Sequence, residues 1–132
     1  MYLTAPASVL HMRADGTLRT SVYQGTQSQS FNLIHQGGDG STGIRNKYHD
    51  RVLNLSRSGQ ATAVFYNGTA GQSFTILDQP DGSKRIRNPY HDLFVALYPD
   101  GRVIGEAENH SPYQRLTLVC QGDGSQGIRV LP

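Results

Sequence analysis

The chain has no tryptophan and one cysteine, and aromatic residues make up only 8% of its 132 positions. A lone Cys120 excludes an internal disulfide, and its place in an alternating strand reads as a small buried hydrophobe. Neither sign of charge dominates: 12 Lys and Arg face 10 Asp and Glu, scattered rather than clustered. Without a basic stripe to follow a phosphate backbone, nucleic acid is not an expected partner. No apolar run approaches the ~18 residues of a membrane-spanning helix, and no cationic, apolar-centred leader opens the sequence. The expectation is a soluble protein without membrane insertion, cytoplasmic or secreted without a visible signal peptide. No window sustains an apolar period near 3.6 residues, so helix is not expected.

What the sequence does have is repetition. Gln29-Ser30-Phe31 returns as Gln72-Ser73-Phe74 and as Gln114-Arg115-Leu116. Asp39-Gly40-Ser41 returns as Asp81-Gly82-Ser83 and Asp123-Gly124-Ser125, and Gly43-Ile44-Arg45-Asn46 as Arg85-Ile86-Arg87-Asn88. Gly127-Ile128-Arg129 is a truncated third copy, and every offset is 42 or 43 residues. A fixed period of this length marks supersecondary units that bury their apolar faces against one another. Within a unit, short alternating runs such as Arg51–Leu55 and Ser73–Leu77 are punctuated by Asn-Gly and Asp-Gly, a hairpin signal.

Four strands in each of three units give an all-β chain with the plan of a β-trefoil: three pseudo-symmetric repeats of four strands in a single domain over residues 1–132. The repeats run approximately 1–42, 43–84 and 85–127. The first lacks its opening strand, which either Met1–Thr4 or Ile128–Val130 must supply. The C-terminal segment is the better match, because it closes the sheet and leaves no exposed edge.

The stretch Ala63–Phe74, with Asn67-Gly68-Thr69 leading to Gln72-Ser73-Phe74, resembles the CNGTxxQxW segment of ricin-B-type (R-type) lectin repeats, with Phe for Trp. Asp81-Gly82 followed by Ile86-Arg87-Asn88 is similar to the DGxIRN turn of that family. The resemblance implies a β-trefoil fold and carbohydrate binding, with galactose-type sugars as the family habit. It speaks more strongly to fold than to function, since the Q-x-W motif belongs to the shared core. The sugar-contacting set implied by the family is not retained. Its early Asp falls at His11, Asn54 and Ala96, its stacking aromatic at Ser21, Val64 and Glu106, and its Asn at Ser28, Gly71 and Tyr113. A second, looser resemblance, in spacing rather than identity, is to fascin-like trefoils. The alternative function is therefore a protein-interaction trefoil, either fascin-like actin binding or an inhibitor-type module.

The ligand-binding candidates follow from chemistry. Hydroxyl-rich ligands need paired donors and acceptors and an aromatic face. Asn46, Tyr48, His49 and Asp50 supply these within one turn, and Asn88, Tyr90, His91 and Asp92 repeat them. The same residues also suit turn capping and surface packing. His11 and Asn54, at the family's acidic position, and Asn67, at the exit of the third strand beside Tyr66, complete the set. Tyr23-Gln24 and Glu108-Asn109-His110 share that exit position, whereas Asn67-Gly68 also reads as a simple hairpin turn. Arg45, Arg87 and Arg129 recur at one place, suited to bracing a neighbouring Asp. Two or more sites would gain from multivalent surfaces, and a homodimer is the other route to that gain. The histidines lack metal-ligand spacing and Cys120 lacks a nucleophile signature, so neither a metal, a cofactor nor an enzyme activity is expected.

Overall fold

The computed structural model describes residues 8–36 and 41–131, and within them the chain is all-β. Twelve strands follow one another: β1 (Val9–Met12), β2 (Leu18–Ser21), β3 (Phe31–His35), β4 (Thr42–Asn46), β5 (Val52–Leu55) and β6 (Ala61–Val64). They continue as β7 (Thr75–Asp78), β8 (Lys84–Asn88), β9 (Leu93–Leu97), β10 (Val103–Glu106), β11 (Leu116–Cys120) and β12 (Gln126–Val130). All join one antiparallel sheet of order β10-β9-β8-β11-β12-β3-β4-β5-β6, with β1 against β12 and β2, and β7 against β8. β1 meets the C-terminal strand at Val9 opposite Arg129. Met1–Thr4 and the Asp39-Gly40 turn lie outside the described residues. No helix among the described residues is long and apolar enough to cross a membrane.

The pairings recur at the spacing of the sequence repeat. Gln126 of β12 pairs with Phe31 of β3, Thr42 of β4 with Phe74, and Lys84 of β8 with Leu116 of β11. The buried core is built from equivalent positions: Leu10, Leu53 and Val95; Met12, Leu55 and Leu97; Phe31, Phe74 and Leu116; Ile44, Ile86 and Ile128. Each such side chain withdraws apolar area worth roughly 1.5–3 kcal/mol against leaving it exposed. Alternation within the strands aims these residues inward and leaves Arg45 on the outer side.

The hairpin turns carry their own locks. Asp15, Asp81, Asp100 and Asp123 each accept, through Oδ1, the backbone N–H two residues on, and a glycine with φ near +90° follows each. The turns also dock on the neighbouring hairpins. Gly105 N–H donates to Gly59 O at 2.8 Å, Thr20 N–H to Gly101 O at 3.0 Å, and Arg51 Nε to Ala14 O at 2.9 Å.

Three single-turn 3₁₀ helices, Gln27–Gln29, Ala70–Gln72 and Pro112–Gln114, are the only helical turns among the described residues, in keeping with the expected all-β chain. They are too short to generate a hydrophobic period, which is why the sequence pattern does not show them. Cys120 corrects the expectation of a small buried hydrophobe: it is exposed, as the last residue of β11 where the strand leaves the core for the 121–125 turn.

Candidate functional site

The site begins with the buried glutamine of each 3₁₀ turn. Gln72 Oε1 accepts the backbone N–H groups of Asn67 and Gly68 at 3.0 and 3.2 Å, while its Nε2 donates to Phe65 O at 3.3 Å. Gln29 does the same for Gln24, Gly25 and Val22. These bonds hold the 65–68 loop in a fixed bend with Gly68 at φ +72°, a conformation that favours glycine. Asn67-Gly68 is therefore not the hairpin turn expected from its sequence: β6 pairs with β5, and β7 with β8. The bend belongs to a loop between strands of different hairpins, and it turns Phe65 and Tyr66 outward, each 61% exposed.

Tyr66 stands at a cleft of about 690 Å³. Its hydroxyl donates to Gln36 Oε1 at 3.2 Å, and Gln36 Nε2 in turn donates to Gln72 O at 3.2 Å. Ile34, His35 and Gly43 form the wall from β3 and β4, and Arg45, Asp50, Val52, Gly68 and Ser73 complete the lining. The Arg45 guanidinium is ion-paired with Asp50, so the cleft presents charge without a large net field. Asp50 holds φ +55°, which an Asp tolerates better than most side chains. An aromatic face, an anchored hydroxyl and amide, an imidazole and an ion pair in one cleft can clasp a small hydroxylated molecule by its apolar face and its polar rim.

The residues expected from sequence do not converge on one place. Asn46 and Asn88 are fully buried, each accepting two N–H groups of its own turn (Tyr48 and His49; Tyr90 and His91) and donating to a 3₁₀-turn carbonyl. Their chemistry is spent on the turn. Tyr48 is 42% exposed and donates to Asp123 Oδ2 at 2.5 Å, a bond that raises its pKa. His49 Nε2 lies 3.3 Å from Ser28 Oγ. Tyr90 is exposed, His91 half-buried, and Asp92 pairs with Arg87 at 2.8 Å, so two of the three recurring arginines brace an Asp as expected. Asp50 alone of the expected ligand residues lines the cleft.

His11 is buried beside Ser21 Oγ and Gln29 Nε2, at 3.2 and 3.4 Å. Burial, then Arg19 and Arg13, push its pKa down, so it is neutral at pH 7. Asn54 reaches Thr62 Oγ1 at 3.5 Å and packs against Gly71. Asn67 is exposed and accepts from Thr69 N–H at 3.2 Å.

Gln36, Gly43 and Ile34 are the residues sequence reasoning missed. A signal was present: Gln36 recurs as Gln79 and Gln121, and Gly43 as Gly127, with Arg85 in its place in the unit between. Among the described residues no group of three His, Cys, Asp or Glu side chains stands close enough to hold a metal ion. Comparison with protein-family models and with curated proteins finds no match.

Proposed function

We propose that this protein is a soluble carbohydrate-binding β-trefoil, lectin-like rather than enzymatic, and that Tyr66 is the platform of its sugar site. The observation that carries the reading is the Tyr66 ring, largely exposed at the mouth of a 690 Å³ cleft with its hydroxyl tied to Gln36. A pyranose has a C–H face that rests on such a ring and hydroxyls that pair with carboxylate, guanidinium and amide groups. Asp50, Arg45 and Gln36 offer those partners at the same cleft, and His35 adds an imidazole. The trefoil arrangement is supported by pairings and core positions that recur three times at the repeat spacing, and by the contact of β1 with β12. Galactose-type sugars are the first ligands to test, as the resemblance to R-type repeats implies.

A glycan array with fluorescently labelled protein tests this. The expected result is signal for terminal galactose-type glycans that falls about tenfold in Tyr66→Ala, equivalent to ~1.4 kcal/mol. A blank array from protein that circular dichroism shows to be folded would reject the reading. It would turn attention to protein partners, as the fascin-like or inhibitor-type alternative requires.

A further inference from the structure

The bonding of Tyr66 through Gln36 to the chain has a counterpart elsewhere. Tyr23 holds the place of Tyr66 in the first repeat, and its hydroxyl donates to Gln121 Oε1 at 3.2 Å, as that of Tyr66 does to Gln36. Gln121 Nε2 donates to Gln29 O at 3.1 Å, matching the bond from Gln36 to Gln72. Each of these glutamines lies over a glycine. A Cβ on Gly43 would stand 3.2 Å from Gln36 Nε2, and one on Gly127 would stand 3.5 Å from Gln121 Nε2. Tyr23, like Tyr66, is a largely exposed ring, at 47%.

The third equivalent position is built differently. Arg85 replaces the glycine and Glu108 the tyrosine. The Arg85 guanidinium pairs with Glu108 and lies 3.4 Å from His110 Nδ1, with Arg85 itself buried. Gln79 no longer reaches across to the neighbouring loop but folds back on Leu77 O and Asp78 O. The aromatic platform is gone and a long side chain lies where the other two positions have only a hydrogen atom.

We propose that the protein carries two related carbohydrate clefts, Tyr66–Gln36–Gly43 and Tyr23–Gln121–Gly127, and that the Arg85–Glu108 pair takes the place of the aromatic platform at the third. This rests on the carbohydrate reading above. The two glycines decide which positions are open, and two sites on one rigid chain make the monomer able to cross-link multivalent glycans. The place of Asp50 falls at Ala7 in the first repeat, so the second cleft lacks that carboxylate and binds more weakly.

Isothermal titration with lactose, followed by precipitation of a lactose-bearing polymer, tests the proposal. The wild-type protein should bind two lactose molecules and precipitate the polymer. Gly43→Arg and Gly127→Arg, which copy the residue already housed at position 85, should each bind one and lose precipitation. The exposed-residue variants Tyr66→Ala and Tyr23→Ala should weaken the same sites without touching the fold. Wild-type binding of one lactose, abolished by Gly43→Arg and unaffected by Gly127→Arg, would overturn the second cleft while leaving the carbohydrate reading intact. No lactose binding by the folded wild-type protein would overturn both.

Discussion

Replacing Gly59 with alanine should cost far more than the same change at Gly82, although both residues hold nearly the same backbone conformation, φ +92° and +87°. At Gly82 a new Cβ meets nothing within 4 Å. The left-handed conformation costs a non-glycine residue ~1–2 kcal/mol, offset by ~0.4–1 kcal/mol from the stiffer unfolded chain, so the net loss is about 1 kcal/mol. At Gly59 the Cβ would sit 2.2 Å from Gly105 O, a backbone atom that no rotamer change can move.

The β5–β6 turn must then withdraw from β10, and that disrupts the Gly105 N–H to Gly59 O bond and the bridge between Gln60 and Ile104. Two backbone hydrogen bonds at about 1 kcal/mol each bring the total to roughly 3 kcal/mol. With an unfolding entropy of ~2.1 cal/mol/K per residue, each kcal/mol lowers the melting temperature of a chain this size by ~3–4 °C. Calorimetric melts should therefore show losses of ~3–4 °C for Gly82→Ala and ~10 °C for Gly59→Ala. Equal losses would refute the tight docking of the hairpin turns.

Three further outcomes are expected. Gln72→Ala removes three loop hydrogen bonds and should lower stability by about 3 kcal/mol, whereas Gln114→Ala removes only the two from Nε2 to Glu106 and Ala107 O, its buried Oε1 having no partner, and should cost less; equal losses in denaturant titrations would contradict this. Asp81 is held down to about 2 from an ordinary 3.8, chiefly by the Ser83 hydroxyl and N–H and then by Arg115. Its folded-state value lies below its unfolded one, so its contribution is present above pH 3.8 and is lost as pH falls through about 2; Asp81→Asn should flatten the melting-temperature curve there, and a curve parallel to wild type would count against it. Cys120 is exposed, so a thiol reagent such as DTNB should modify the native protein fully; reaction only after denaturation would show a buried thiol.

The strands were legible because hairpin registers obey local alternation and turn chemistry. Val52–Leu55 falls within the alternating run Arg51–Leu55, Thr75–Asp78 overlaps the run Ser73–Leu77, and the glycines after Asp15, Asp81 and Asp123 take the positive φ that such turns need. Asn67-Gly68 misled because a tight-turn dipeptide does not reveal which strand its continuation will pair with; the side-chain amide of Gln72, a few residues on, bends that loop instead.

The candidate site was less legible. Tyr66 stood out as a strand-exit aromatic, but its partner Gln36 lies 30 residues away, and Gly43 matters for the side chain it lacks. Asn46 and Asn88 looked like ligands because an amide that staples a turn and one that grips a sugar use the same atoms. Burial alone separates the two roles.

The most direct measurement is a lactose titration of nitrogen-15-labelled protein tracked through its backbone amide resonances. Shifts confined to Gln36, Gly43, Tyr66 and Gly68, with a weaker set at Gln121, Gly127 and Tyr23, are expected from a sugar lying on the Tyr66 ring. Shifts centred on His11, Ser28 and Asn54 instead, or none at saturating lactose, would contradict the assignment of the cleft as the carbohydrate site.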